Sequence, residues 1–253
     1  MQMSTELMLP LLFVAAFAAG LIDSIAGGGG LITVPVLMGI GLPPQVALGT
    51  NKLQASFGSG SAMLHFVRAG TVRLRDCWYG IVWTAIGAAL GVWAIQLLDV
   101  AILKQLIPWL LAAIALYTLF SPQLGAEDSH ARIKEGPFYL ICGLSIGFYD
   151  GFFGPGTGSF WAMALMLLLG CSMLRATATT KVMNFTSNFV ALLFFLSAGQ
   201  VRFVEGIVMG IGQFLGARVG ARLVIKRGTA FIRPIFIAVV LALVGRLLYL
   251  NYR

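Results

Sequence analysis

Charged residues are scarce in this chain of 253 residues. Only 10% of them are Asp, Glu, Lys or Arg, whereas ordinary soluble domains contain about 25%. So few charges could not cover the surface of a soluble domain of this length, and 59% of the residues are apolar. This composition excludes a soluble enzyme, a secreted disulfide-rich scaffold and a disordered chain. We therefore predict an all-α integral membrane protein that crosses the bilayer several times.

Cysteine is rare, and a nucleotide-binding loop is missing. Cys77, Cys142 and Cys171 lack the spacing of a metal site, and an odd, scattered set does not form a disulfide framework. The chain has no Gly-x-x-x-x-Gly-Lys-Ser/Thr phosphate-binding loop, which argues against an ATP-driven pump. We expect no metal, no cofactor and no enzymatic activity.

Acidic residues are fewer than basic ones, nine against 17, and the net charge is +8. In a membrane protein this excess is expected in cytoplasmic loops, so it does not indicate a nucleic-acid partner. Residues 1–6 contain Glu6 and no Lys or Arg, which is the reverse of a secretory signal peptide. We therefore expect the first apolar segment to stay in the mature protein.

Long apolar segments run through the whole chain. Six of them have about the 20 residues that cross a bilayer, namely 45–67, 76–97, 101–120, 176–198, 202–222 and 232–250. Two more, 7–40 and 136–169, are too long for one span and are interrupted by glycine-rich stretches at 27–30 and 154–158. We predict one polytopic domain over 1–253, with a first repeat at 7–120, a polar cytoplasmic linker at 121–135 and a second repeat at 136–250.

The two halves resemble each other in five short stretches that follow in the same order. Gly20-Leu-Ile-Asp23 matches Gly147-Phe-Tyr-Asp150, and Thr50-Asn-Lys52 matches Thr179-Thr-Lys181. Three further matches complete the set. They are the glycines of the two interruptions, Ala69–Arg73 with Ala198–Arg202, and Ile86–Gly91 with Ile211–Gly216. Such an ordered series indicates an internal duplication.

The loop charges indicate how the repeats are oriented. If each interrupted segment enters and leaves on one face, ten Lys and Arg residues lie on one side and two on the other. If each makes a single crossing, the division is six against six. The biased arrangement obeys the positive-inside rule. It predicts two inverted repeats, each a broken or re-entrant segment followed by three transmembrane helices, with both termini on the periplasmic side.

Few ionisable residues lie within the apolar segments away from the loops. They are Asp23, Asp150, Lys52 and Lys181, which form two repeat-related pairs. A charge at mid-bilayer costs about 2.5–3.5 kcal/mol or more, so such residues usually pair or line a polar path. Inverted repeats with broken helices are typical of secondary transporters, which bind substrate near the midplane.

The glycine-rich interruptions predict an anion site. A helix that restarts after a break presents unpaired N–H groups and the positive end of its dipole. Lysine could add charge there, and neutral hydrogen bonds could come from Thr50, Asn51, Gln54, Thr180, Asn184 and Asn188. The predicted substrate-binding residues are Gly27, Gly28, Gly29, Gly30, Asn51, Lys52, Gly154, Gly156, Thr157, Gly158, Lys181 and Asn184.

The two aspartates allow three interpretations. Asp23 or Asp150 could couple transport to protons, because a carboxylate shielded from water binds a proton more readily. Each could instead hold a lysine in place, or cap a helix beside the break. The other recurring glycines, Gly87, Gly91, Gly212, Gly216 and Gly220, are predicted to serve close helix packing.

These stretches resemble the TauE/SafE family, the sulfite exporter and toluenesulfonate uptake permease group. The resemblance covers about residues 7–250 and is carried by Gly20–Leu31, Ala47–Gln54, Gly147–Gly158 and Ala176–Lys181. It implies a transporter of small sulfur-containing anions, such as sulfite, thiosulfate or organosulfonates, in the bacterial inner membrane.

Two other classes remain open at this stage. Inverted repeats with broken helices also build channels, and an anion channel would have the same sequence pattern. Asp23 and Asp150 could also be the paired carboxylates of an intramembrane aspartyl protease, although the Gly-x-Gly-Asp element of those enzymes is absent.

Overall fold

The computed structural model describes residues 5–26, 28–120 and 130–227, and within them every regular element is an α-helix. The helices are α1 (Thr5–Ala26), α2 (Gly30–Gly39), α3 (Pro44–Arg68), α4 (Trp78–Gln96), α5 (Val100–Phe120), α6 (Glu135–Phe152), α7 (Thr157–Leu169), α8 (Met173–Ser197) and α9 (Phe203–Arg227).

Five of the six predicted spans coincide with helices α3, α4, α5, α8 and α9 to within about five residues at either end. The sixth, 232–250, lies outside the described residues, as do Gly27 and most of the predicted linker. The interrupted segment 7–40 forms α1 and α2, and 136–169 forms α6 and α7. The all-helical architecture and both helix breaks are therefore confirmed.

Glycine provides the backbone conformation that each break needs. Gly28 has φ +104°, and Gly154 and Gly156 have φ +99° and +86°. These values lie in the region that residues with a side chain rarely adopt. The two breaks also meet in space, since a Cβ added at Gly30 would lie 3.2 Å from the Cα of Pro155.

Helices from different halves pack most closely. Helix α1 lies along α9, α6 lies along α4, and α3 lies against α8. At the α4–α6 interface, a Cβ added at Gly91 would overlap the carbonyl oxygen of Phe148. At the α1–α9 interface, one added at Gly216 would overlap that of Phe17. The predicted packing role of these glycines is confirmed, because the backbones approach too closely for any side chain.

Bulky apolar side chains lie on the outside of the molecule. The exposed face of α4 carries Trp78, Tyr79, Val82, Ile86, Leu90 and Trp93, whereas five of the seven residues on its buried face are small, namely Gly80, Thr84, Gly87, Ala88 and Gly91. By length and composition, two stretches could cross a membrane among the described helices, Leu7–Ser24 and Trp78–Gln96. Helices α3 and α8 are as long but carry buried polar residues instead of a continuous apolar window. They place those polar groups at the centre of the molecule.

Candidate functional site

A small cavity of about 40 Å³ lies where the two helix breaks face the middles of α3 and α8. A volume of this size holds a few water molecules or one small ion. Its wall is formed by Asp23, Gly28, Gly29, Gly30, Asn51, Lys52, Ala55, Ser59, Asp150, Gly154, Gly156, Thr157, Gly158, Asn184, Asn188 and Gln213.

Lys52 on α3 forms a buried ion pair with Asp150 on α6. Its Nζ lies 2.6 Å from Oδ1 of Asp150, and the two side chains are 1% and 3% exposed. The same ammonium donates to the backbone oxygen of Asp150 and, over 3.1 Å, to Oδ1 of Asn188. The Ser187 hydroxyl donates to the other carboxylate oxygen. The three N–H groups of Lys52 therefore have three protein acceptors, and its charge is locally balanced.

Lys181 on α8 pairs with Asp23 on α1 in the corresponding way but less tightly. Its Nζ lies 3.1 Å from Oδ2 of Asp23 and 3.0 Å from the Asp23 backbone oxygen. Among the described residues its ammonium has these two acceptors, one fewer than its three N–H groups can serve. The Asp23 side chain is 19% exposed. This second ion pair is the longer and the more accessible of the two.

Asp23 also caps the restarted helix α2. Its Oδ1 accepts the backbone N–H groups of Gly28 and Gly29 over 3.1 and 3.3 Å. Two of the three interpretations of Asp23, holding a lysine and capping a helix, are thus realised by one carboxylate. Asp150 holds Lys52, and the described residues show no such cap from its side chain. The two halves therefore use the same residue type differently.

The second break is held by its own hydrogen bonds. The Thr157 hydroxyl donates to the Gly154 carbonyl over 2.6 Å, and the Tyr149 hydroxyl donates to the Pro155 carbonyl over 2.5 Å. A Cβ at Gly154 would lie 2.7 Å from Lys52 Nζ, so only glycine lets the ion pair approach the backbone here. The N–H of Gly158, in the first turn of α7, has no acceptor among the described residues. It lies in the cavity wall.

Four buried amide side chains complete the wall: Asn51, Asn184, Asn188 and Gln213. The oxygen of Asn51 accepts from Thr33 and Gln54, and that of Asn188 accepts from Lys52. The oxygens of Asn184 and Gln213 are fully buried and lack a partner in the described part of the chain. None of the four nitrogens is among the fully buried atoms that lack a partner. These amides are the neutral hydrogen-bonding side chains of the wall that have unused capacity.

The structure brings together most of the predicted site residues. Gly28, Gly29, Gly30, Asn51, Lys52, Gly154, Gly156, Thr157, Gly158 and Asn184 line the cavity, together with Asp23 and Asp150. Lys181 is not in the wall, but it forms an ion pair with Asp23, which is in the wall. Gly27 lies outside the described residues. Thr50 serves elsewhere, since its hydroxyl accepts the backbone N–H of Arg202.

Sequence reasoning missed three residues of the wall, Ala55, Ser59 and Gln213. Gln213 aligns with Ala88 when the repeats are compared, so a polar residue replaces a small apolar one inside a glycine-rich helix face. That departure from the repeat could have indicated the site. Ser59 lies two turns after Lys52 on α3, and no feature of its own sequence context distinguishes it.

Metal chemistry has no support in the part of the chain that the structure describes. No group of three or more His, Cys, Asp or Glu side chains lies close enough there to hold an ion.

The fold and the site define a class, a helical membrane protein with buried charges around a small polar cavity. The family model described as "Sulfite exporter TauE/SafE" matches residues 12–247. The chain therefore belongs to the TauE/SafE family, a family of membrane transporters.

The chain is also similar to several bacterial proteins. A Haemophilus influenzae protein described as "Probable membrane transporter protein" is 48% identical over 96% of this chain and 95% of its own length. The Escherichia coli K12 "Probable membrane transporter protein YfcA" is 47% identical over 98% and 92%. The Bacillus subtilis "Probable membrane transporter protein YunE" is 24% identical over 93% and 95%. No solved structure matches the chain.

Proposed function

We propose that the protein is a secondary transporter of small anions, with sulfur-containing oxyanions such as sulfite, thiosulfate and organosulfonates as its substrate class. The observation that carries this proposal is the cavity between the two helix breaks, whose wall contains four amide side chains with NH2 groups that donate to no residue of the described chain. An oxyanion has only acceptor atoms, so a wall of N–H donors matches it. The description of the family model, a sulfite exporter, supports the sulfur-containing class.

The helix breaks supply further donors to the anion. Gly158 lies in the cavity wall in the first turn of α7, where the helix dipole is positive, and its N–H has no acceptor among the described residues. In this proposal Gly154, Gly156, Thr157 and Gly158 contact the substrate from the second half, and Gly28 to Gly30 contact it from the first. Lys52 and Lys181 supply the balancing positive charge, which each shares with its aspartate.

The two halves act as inverted repeats in this transporter. The packing of α1 on α9 corresponds to that of α6 on α4 when the repeat alignment is applied. The ion pairs correspond in the same way, since each joins an aspartate of one half to a lysine of the other. Relative movement of the halves would then open the cavity to one side at a time, as in other transporters with broken helices.

Protons are the proposed coupling ion, carried by Asp23 or Asp150. The Asp23 carboxylate faces Lys181 and the N–H groups of Gly28 and Gly29. The Asp150 carboxylate faces Lys52 and Ser187. A proton on either aspartate would leave its lysine unbalanced and make the site net positive. An anion and a proton would then be carried together.

The protease alternative has less support. A diaspartyl enzyme needs two carboxylates that share a proton. Here Asp23 and Asp150 are each bound to a different lysine.

The remaining parts of the proposal are a bacterial inner-membrane location with both termini periplasmic, and a single domain whose repeats, 7–120 and 136–250, are joined by a cytoplasmic linker.

Transport into proteoliposomes tests the proposed function. We expect uptake of radiolabelled sulfite that saturates with concentration and increases when the inside is made alkaline. The variant Asn184→Leu should lower this uptake at least tenfold, because it removes a donor from the cavity. Gln200→Leu removes a buried amide outside the wall and should leave uptake unchanged. The proposal would be contradicted if Asn184→Leu took up sulfite at the rate of the unmodified protein, or if the unmodified protein took up no sulfur oxyanion.

A further inference from the structure

The charges around the cavity cancel. Among the described residues, the charged side chains in its wall are Asp23, Asp150 and Lys52. Lys181 adds the fourth charge by contact with Asp23 from behind the wall. With two carboxylates and two ammonium groups, the site has a net charge of zero before any ligand enters.

The groups left for a ligand are neutral. Lys52 has no N–H group to spare, because all three are used by protein acceptors. The side-chain amides of Asn184 and Gln213 are more than nine-tenths buried and line the cavity, and their NH2 groups donate to no residue of the described chain, while their oxygens are buried without a donor. Together with the Gly158 N–H, they provide hydrogen bonds without net charge.

We infer that the site selects a singly charged oxyanion and rejects a doubly charged one of the same shape. This inference rests on the proposed function and narrows its substrate class to organosulfonates and singly charged hydrogensulfite, which excludes thiosulfate because that ion carries two negative charges. The cost of transferring an ion out of water into a region of low dielectric constant rises with the square of its charge. Neutral donors offset that cost for one charge, but a dianion would need a net positive site.

Asp23 determines how much charge the site accepts. Its ion pair is the longer of the two, its side chain is 19% exposed, and Lys181 retains an N–H without an acceptor in the described residues. Removing the carboxylate charge of Asp23 leaves Lys181 unbalanced and raises the net charge of the site to +1. The preference between single and double charge therefore depends on this residue.

The unmodified protein provides the first test. Methanesulfonate and sulfate are both tetrahedral and of similar size, but they carry one and two negative charges. Binding of each to purified protein in detergent is measured by calorimetry at equal ionic strength, with sulfite as a third ligand. We expect methanesulfonate to bind at least about tenfold more tightly than sulfate. Sulfate binding as tight as methanesulfonate would overturn this inference alone, whereas no binding of any of the three anions would overturn the proposed function as well.

Charge variants provide the second test. Asp23→Asn should raise sulfate affinity relative to methanesulfonate by about tenfold or more. The double variant Asp23→Asn/Lys181→Gln restores zero net charge and should restore the preference for methanesulfonate. Glu205→Gln is the control, since Glu205 pairs with Arg202 away from the cavity. An unchanged affinity ratio in Asp23→Asn would overturn the inference, and the ligand comparison on unmodified protein decides it if that variant does not fold.

Discussion

The two buried lysines, Lys52 and Lys181, are alike in sequence context and different in environment. Lys52 is 1% exposed and has a full set of acceptors, whereas Lys181 pairs with a carboxylate that remains partly accessible. A buried ion pair contributes little net stability, but removing one partner leaves an uncompensated charge. The structural importance of each lysine therefore depends on how well its aspartate can be solvated without it.

At the residue scale, we predict that Lys52→Met destabilises the protein more than Lys181→Met. Loss of Lys52 leaves the buried Asp150 carboxylate without its counter-charge, at a cost of about 3–5 kcal/mol. Asp23 keeps two N–H donors and some solvent contact when Lys181 is removed. The measurement is the midpoint of thermal unfolding in detergent, with the exposed Lys104→Met as the matched control.

The double variant Lys52→Met/Asp150→Leu separates ion pairing from packing. Because it removes both charges, we expect it to recover a large part of the stability lost in Lys52→Met. Equal midpoints for Lys52→Met and Lys104→Met would show that the buried pair is not needed for stability.

At the scale of elements, the glycines explain why α4 and α6 form so close a pair. Helix α4 exposes its bulky residues outward and packs small ones against α6, the reverse of a soluble amphipathic helix. Lipid chains are as apolar as the side chains, so close backbone contact and not hydrophobic burial holds such helices together. Each added methyl group at the contact separates the two backbones.

We predict that Gly91→Ala lowers stability, whereas Gly136→Ala does not. A Cβ at position 91 would overlap the backbone oxygen of Phe148, and overpacking of this kind costs about 1–3 kcal/mol. At position 136 nothing lies within 4 Å, so alanine there should gain from its higher helix propensity. The measurement is the fraction of each purified variant that remains monodisperse after heating in detergent. If Gly91→Ala withstood the same temperatures as Gly136→Ala, the close contact would not contribute to stability.

At the scale of the whole molecule, the ion pairs and the helix pairs both connect the first half to the second. Lys52 and Asp150 belong to different halves of the chain, as do Lys181 and Asp23. Each aspartate forms its ion pair with a lysine of the other half, so neither half alone could neutralise its buried charges. The halves should therefore depend on each other to fold.

Inverted topology predicts where reporter fusions are active. Alkaline phosphatase fused after residue 253 should be active and green fluorescent protein dark, because the carboxyl terminus is proposed to be periplasmic. Fusions truncated after residue 132 should show the opposite result, since that loop is proposed to be cytoplasmic. Reporters that place both positions on the same side would indicate parallel repeats and would contradict the inverted arrangement.

The sequence by itself determined the class of protein, the helices and the two breaks. Apolar length, missing charge and clusters of glycine act over a few residues, so they can be recognised locally. The family could be recognised for the same reason, from short stretches such as Gly147–Gly158.

Only the tertiary structure decided which partner each charge has. Pairing depends on contacts between residues 98 and 158 positions apart, and three interpretations of the aspartates fitted the sequence equally well. It also decided that Asp23 accepts N–H groups of the first break, that Asp150 makes no such bond within the described residues, and that Gln213 enters the wall. The cause is that electrostatic balance and hydrogen-bond satisfaction are properties of the packed interior, where groups distant along the chain replace the water each has lost.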